Sequence, residues 1–404
     1  MAPPVLIVGD AASSSTGLGR ILSDIAKRAD ANLKDICRIA TLGYGGPGSR
    51  KFNFQQYAIE GMKADFVIPN LPDVWRDWAG SEPGVILFIW DASRLGWFSR
   101  PNVMCEEESL KLFLVNADIQ RWIYCPVDAE GPHGRLSYPY IQALLGFDRV
   151  LAYGEWAGEV LRKSLGNKPS QERDLGAIPH GIDGSVFYPR DRALARAAFY
   201  TITGAVPLQG SPEIAVFDDE PLVGAVATNQ DRKDWGLWAE ACALFLSRHP
   251  KAQFWIHTDI LERSWSIPAL LVDFGLIGCT AVSLGYLNDE QMAQAYSACD
   301  LTLGIGAGEG FGFPIAESLF CGTPVVHGRY AGAVDYLPDD MLIKPVTLHM
   351  EGLYASKRPV FDATDWVNRM EYLLGKRVNC PSQLDWENVW PRFETWFRKG
   401  LGVG

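Results

Sequence analysis

The stretch that most constrains this chain lies late in it, between Leu301 and Tyr336. Leu301–Gly304 is a short apolar run that opens into a glycine-rich loop carrying Glu309 and Gly310-Phe311-Gly312. Pro314 suits the first turn of a helix, where its missing N–H would have had no partner. The segment Ile315–Phe320 predicts a short apolar helix that ends near Gly322. Thr323–Val326 reads as the next buried strand. Strand, glycine loop, helix and strand in that order form a βαβ unit, which commits this part of the chain to an α/β sheet.

The same loop carries a chemistry. Glycines let backbone approach a ligand closely. A helix start offers unpaired N–H groups and a positive dipole end, which suit a phosphate or a sugar hydroxyl. Glu309 and Glu317 stand eight positions apart on either side of that start, and carboxylates accept hydrogen bonds from hydroxyls. A ligand with a diphosphate at one end and hydroxyls at the other fits such a site.

Upstream, the strand Leu222–Ala227 ends in a loop with Arg232 and Lys233 side by side, ahead of the helical pattern Trp235–Ser247. An arginine suits bidentate phosphate contact and a lysine supplies a point charge. A solvated charge pair before a helix is the plainer alternative. Strands follow at Gln253–Thr258 and Thr280–Leu284, then Leu287 and a helix capped at Asn288.

The first half alternates in the same way. Val5–Val8 is a strand, and Gly17-Leu18-Gly19 lead into a helix over Arg20–Arg28. Further strands are expected at Cys37–Leu42, Phe66–Ile68, Val85–Trp90, Arg121–Cys125 and Arg149–Tyr153. Asp91 and Asp128 fall just past strand ends, where parallel sheets bind ligands. Trp97, Phe98 and Arg100 mark either an acceptor-side loop or lid packing. Asp218-Asp219-Glu220 has no partner histidine or cysteine at ligand spacing and reads as a solvated face.

Glu309 and Glu317 with their glycines, followed by Gly-Thr-Pro-Val-Val, resemble the donor-site signature of retaining two-domain glycosyltransferases of the glycogen-synthase and sucrose-synthase-like class, the family 4-like enzymes with a Glu-x7-Glu signature. His180-Gly181-Ile182-Asp183 with Phe187-Tyr188-Pro189, and the Arg232-Lys233 pair, are two further matches. The resemblance implies an α/β GT-B fold, two doubly wound Rossmann-like domains facing across a cleft. It implies an acceptor-side domain over 1–190, a nucleotide-sugar domain over 191–385, and an aromatic helix over 386–404 that crosses back to the first.

It also implies roles. Arg232 and Lys233 neutralise the donor diphosphate, Glu309 lies near the sugar, and Glu317 holds the ribose hydroxyls. Gly310, Phe311 and Gly312 line the donor, and Leu287 lies near the base. Gly17 and Gly19 close over the phosphates or receive the acceptor, though a helix start that needs flexibility explains them equally well. His180 is expected at the domain junction close to the donor, orienting its loop or acting on the substrate. Asp128 stands where the class carries a histidine or aspartate facing sugar and acceptor. His133 arrives five residues later, so the acceptor-side group stays open.

The implied reaction is hexosyl transfer from a nucleoside-diphosphate sugar to a hydroxyl, with retention and front-face attack. The nucleotide sugar is a co-substrate, and neither another cofactor nor a metal is called for. A non-catalytic nucleotide-sugar-binding protein and a nucleotide-sugar epimerase of the same fold are the alternatives. The acceptor is unread: a saccharide, lipid, protein, metabolite or modified DNA.

A chain of 404 residues suits two domains, and no run of eighteen apolar residues suggests a membrane span. The eight cysteines include no Cys-x-x-Cys pair and the start enters a strand at once, so a reducing, cytoplasmic setting is expected. The net charge is -11, with 20 basic against 22 acidic residues in 1–190 and 17 against 26 in 191–404. A nonspecific nucleic-acid binder would carry a basic field instead. Trp386, Trp390, Phe393, Trp396 and Phe397 repeat at near-helical spacing and must be buried, on the first domain or on a partner such as a second copy.

Overall fold

The computed structural model describes residues 2–14, 16–45, 51–60, 64–99, 108–116, 118–166, 174–207, 220–352 and 355–403. Arg100, the Asp218-Asp219 pair and the side chains of Trp97 and Phe98 lie outside that description. The chain divides into two compact units. The first comprises Met1–His180, Gly352–Ser356 and Glu387–Gly404, and the second Gly181–Glu351 and Lys357–Trp386.

The first unit is built on a seven-stranded sheet. Its strands are β1 (Pro4–Asp10), β2 (Arg38–Tyr44), β3 (Gln55–Ile59), β4 (Gly84–Ile89), β5 (Ile119–Cys125), β6 (Arg149–Ala152) and β7 (Asp174–Ala177). They lie in the order β3-β2-β1-β4-β5-β6-β7, every pair parallel. Helices α1 (Gly17–Asn32), α2 (Leu71–Ala79), α3 (Glu108–Asn116), α4 (Tyr138–Leu144) and α5 (Glu155–Leu165) accompany it. β1 and β4 are continuous apolar runs, as a strand covered on both faces must be.

One expected strand is absent. Phe66–Ile68 lies in a 3-10 segment, Ala64–Asn70, with Pro69 inside it. Three apolar residues are too few to separate strand from helix by periodicity. The third strand is Gln55–Ile59 instead, partly exposed along its length because it forms the sheet edge. Its glutamines hid it from a search for apolar runs.

The second unit carries another seven-stranded sheet, made of β8 (Val206–Pro207), β9 (Leu222–Val226), β10 (Gln253–Thr258), β11 (Thr280–Leu284), β12 (Leu301–Gly304), β13 (Val325–Gly328) and β14 (Leu342–Ile343). The order is β14-β13-β12-β9-β10-β11-β8, parallel except where β8 meets β11. Its helices are α6 (Arg192–Ala197), α7 (Phe199–Thr203), α8 (Trp235–Arg248), α9 (Ile267–Asp273), α10 (Asp289–Ala298), α11 (Phe313–Phe320) and α12 (Ala363–Leu373). A two-stranded sheet, β15 (Thr347–Glu351) with β16 (Ser356–Val360), was not foreseen.

In each unit the strand order reverses at one place, between β1 and β4 in the first sheet and between β9 and β12 in the second. Open α/β sheets bind ligands in the crevice beyond the carboxyl ends of strands at such a switch point. Arg232 and Lys233 follow β9, and Glu309 follows β12. The topology therefore brings residues 76 and 77 positions apart in sequence to one crevice.

The aromatic tail forms helix α13, Trp386–Gly400. Residues from Glu387 onward belong to the first unit. Trp396 meets Trp122 of β5 edge to face with ring centres 4.9 Å apart, and Phe393 meets Tyr124 in the same way at 5.2 Å. Arg149 of β6 lies over both Trp122 and Trp396 and donates to the Trp396 carbonyl at 2.7 Å. Burial of a large apolar stripe, with a cation held over its rings, anchors this helix to the sheet.

Candidate donor site

The site in the second unit is assembled by backbone first. Residues 232–234 and 305–307 run antiparallel: Lys233 bridges Gly306, the Ala307 N–H donates to the Arg232 carbonyl at 2.8 Å, and the Asp234 N–H donates to the Ile305 carbonyl at 3.0 Å. Asp234 then caps α8 by accepting from the Leu237 N–H at 3.0 Å. The two loops are thus joined before any side chain is considered.

On that base the charges converge. Lys233 Nζ pairs with Glu309 Oε1. Arg232 donates through one guanidinium nitrogen to Glu309 Oε2 at 3.2 Å and to the Gly308 carbonyl at 3.0 Å. Glu309 is well covered, with 13% of its side chain exposed. Burial alone would raise its pKa. The charges of Lys233 and Arg232, the Lys233 hydrogen bond and His327 outweigh burial and bring it to about 2. Gly306 is required here, since a Cβ would lie 2.3 Å from Glu309 Oε1.

The loop is fixed at its far end as well. The Gly332 N–H donates to the Glu309 carbonyl at 2.9 Å, and the Tyr336 hydroxyl donates to the Phe311 carbonyl at 2.6 Å. Gly312, the residue before α11, takes a left-handed backbone with φ 84, a conformation that favours glycine. Phe311 is 4% exposed and packs against Phe313 and Tyr336, so its ring belongs to the core and only its backbone faces the loop. Burial first, then the charges of Glu309, Asp335 and Glu317, hold the Tyr336 phenol well above its ordinary range.

Glu317 is not part of the ion-pair cluster. It lies on α11, 4% exposed, and accepts from the Tyr296 hydroxyl of α10 at 3.1 Å. Tyr336 lies within the field of both carboxylates. Leu287 is half-buried between β11 and α10, directly before the capping box formed by Asn288 and Gln291.

The remaining sequence-selected residues lie in the first unit. Gly17 and Gly19 open α1, whose N-cap is Thr16. Thr16 donates to Asp10 at 2.6 Å, and Asp10 also accepts from the Trp90 indole at 3.0 Å, which bridges the β1/β4 switch point. Asp128 is half-buried past β5. Burial, together with the charge of Asp128, raises the pKa of Asp91 against the hydrogen bonds from Ser93. His180 is fully buried, with Nε2 3.4 Å from Asp24 of α1. Its ring braces α1, and burial keeps its pKa low despite Asp24.

Sequence reasoning missed Tyr336, Tyr296 and His327. The signal for His327 was a lone histidine ending an apolar strand, Val325-Val326-His327-Gly328, where a buried polar residue is unusual. Among the described residues no three His, Cys, Asp and Glu side chains gather as metal ligands would. No described helix is long and apolar enough to cross a membrane.

No protein-family model matches the chain. Two curated relatives are D-inositol 3-phosphate glycosyltransferases. That of Acidothermus cellulolyticus is 26% identical over 173 residues, 41% of this chain and 35% of the relative. That of Nocardiopsis dassonvillei is 28% identical over 225 residues, 52% of this chain and 46% of the relative. The matches thus span less than half the length of either relative. Among solved structures, sucrose-phosphate synthase from Thermosynechococcus elongatus superposes with a TM-score of 0.70 at 14% identity, covering 100% of both chains. Anabaena Alr3699/HepE, in complex with UDP and glucose, gives 0.67 at 14% identity, covering 98% of this chain and 100% of that one.

The fold is GT-B. At these identities the solved structures establish the fold alone, and the sequence relatives are sugar-transferring enzymes. The GT-B fold expected from the Glu-x7-Glu resemblance is therefore the one the chain adopts.

Proposed function

We propose that the protein transfers a hexose from a nucleoside-diphosphate sugar to an acceptor hydroxyl, with retention at the anomeric carbon. The observation that carries this reading is the convergence of Arg232 and Lys233 on Glu309 at the switch point of the second sheet. Two fixed cations beside an ionised carboxylate suit a ligand with phosphates at one end and hydroxyls at the other. The HepE complex, with UDP and glucose, supports this choice of ligand.

In the proposed reaction the bond from the anomeric carbon to the donor phosphate oxygen breaks, and negative charge grows on the leaving diphosphate. Arg232 and Lys233 stabilise that charge. The acceptor oxygen bonds to the same face of the carbon, and its proton passes to the departing phosphate oxygen. Glu309 orients the sugar through its hydroxyls. Paired with Lys233 and Arg232 it is ionised, with a pKa of about 2, and so enters the reaction as a hydrogen-bond acceptor. Glu317 serves the ribose, with Tyr296 fixing its orientation. Asp128 is assigned to the acceptor side. His180 is assigned a bracing role, because its ring is fully buried.

The test is release of nucleoside diphosphate from a panel of UDP-, GDP- and ADP-sugars, with and without acceptors that include inositol 3-phosphate, the compound named for the relatives. Acceptor-dependent release with an α-configured product from an α-configured donor is expected. Donor binding without release would mark a non-catalytic binder, and conversion of the donor without acceptor would mark an epimerase. Failure to bind any nucleotide sugar would refute the reading.

A further inference from the structure

His327 sits at the end of β13 in register with Gly304 of β12, the last residue before the Glu309 loop. It is 1% exposed. Its Nδ1 is hydrogen-bonded to the Gly304 carbonyl. A carbonyl only accepts, so Nδ1 carries the hydrogen and, in the neutral ring, Nε2 carries the lone pair. That Nε2 is buried and has no hydrogen-bond partner. Burial lowers the pKa of the ring against the Gly304 hydrogen bond, so the neutral form is the resident one. The charged groups that act on it are Glu309 and Lys233, both members of the ion-pair cluster.

Buried acceptors rarely go without a donor, and those that do call for an explanation. Lys233 bridges Gly306, two residues beyond the Gly304 carbonyl that His327 holds, and its ammonium, with three hydrogens, is the cation within the field of this ring. That ammonium pairs with Glu309. A diphosphate competes for the same ammonium, and its greater negative charge can draw that group off the carboxylate. We infer that His327 is a positioning residue of the donor site, a neutral imidazole whose Nε2 accepts from Lys233 once the diphosphate draws that ammonium off Glu309, while Nδ1 holds the start of the loop. This deepens the donor reading above and rests on it. Protonation would replace the acceptor with an N–H and add a positive charge beside Lys233 and Arg232.

The experiment is calorimetric titration with UDP, GDP and ADP of wild type, His327→Asn and His327→Gln between about pH 5 and 8, after each variant has been shown to melt cooperatively. Asparagine can keep the Gly304 hydrogen bond but loses the second acceptor, whereas glutamine can reach the Nε2 position. At neutral pH the asparagine variant should bind the best ligand about tenfold more weakly, the size of one net hydrogen bond. The glutamine variant should bind within about threefold of wild type, a change of under 1 kcal/mol. All three proteins share the fall in affinity that comes from protonation of the ligand's own terminal phosphate at about pH 6, and wild type should fall further than the glutamine variant as its ring protonates. Asparagine binding equal to wild type, or the same acid fall in all three proteins, overturns the inference. If the asparagine variant does not fold, the glutamine profile decides alone. Wild type that binds no nucleoside diphosphate refutes the donor reading, and with it this inference. Wild type that binds while the variants change nothing refutes only the role of His327.

Discussion

Replacing Glu309 by glutamine separates its two tasks, as counter-ion and as sugar contact. The side chain is 13% exposed and holds a carboxyl whose pKa falls from 4.5 to about 2. At 1.36 kcal/mol per unit, that shift means the site favours the charged form by about 3 kcal/mol. Glutamine keeps the shape and removes the charge, leaving Lys233 and Arg232 without it. Unliganded Glu309→Gln should therefore lose up to about 3 kcal/mol, a fall in Tm of roughly 6–12 °C for a unit of this size. UDP has no sugar for Glu309 to hold, and its phosphates would become the counter-ions of both cations. UDP should then raise the Tm of the variant more than that of wild type. Turnover should nevertheless fall by at least about a hundredfold, as when a fixed electrostatic contact to a transition state is lost. Thermal melts with and without UDP, alongside a turnover assay, read all three effects. A variant with unchanged Tm, or one that UDP stabilises less than wild type, would refute the reasoning.

Gly306→Ala should act on the same carboxylate from beneath, because its new Cβ would lie 2.3 Å from Glu309 Oε1. A loss of turnover with UDP binding and the far-ultraviolet spectrum retained is expected, and wild-type turnover would show that the loop yields freely. Asp300→Ala should destabilise without a donor effect. Asp300 accepts from Arg192 at 2.5 Å and from the Leu222 N–H at 2.8 Å, and it pairs with buried Arg196. Removing it should cost about 3–5 kcal/mol in urea titrations and leave the UDP affinity of the folded protein unchanged. Stability should also fall with mild acid. His180, His257 and His327 have pKa values lowered from 6.5 by burial. Their neutral forms contribute stability that is present above 6.5 and lost as pH falls through the folded values. A urea midpoint that rises between about pH 7.5 and 5.5 would count against those buried neutral rings.

The sequence by itself determined the class of fold and the parts of the glycine-rich loop that carries Glu309. The reason is that the information is local. An apolar run ending in glycine, a proline in the first helical turn and a capping asparagine each act within a few residues. Gln253–Thr258, Thr280–Leu284 and Leu301–Gly304 accordingly emerge as strands at the expected bounds. Where local patterns are ambiguous the reading failed, as at Phe66–Ile68, or was silent, as at the polar edge strand Gln55–Ile59 and the hairpin over 347–360. Only tertiary structure decided that β9 and β12 are neighbours, because strand order depends on which apolar faces pack together and not on sequence distance. That adjacency joins a cation pair and a carboxylate, singled out separately in the sequence, into one ion-paired cluster, with a buried histidine of β13 within its field. It also separates residues the sequence had grouped. Glu317 is oriented by Tyr296 and Phe311 is given to the core, because a side chain's partners are set by the helix that faces it and not by its neighbours in the chain.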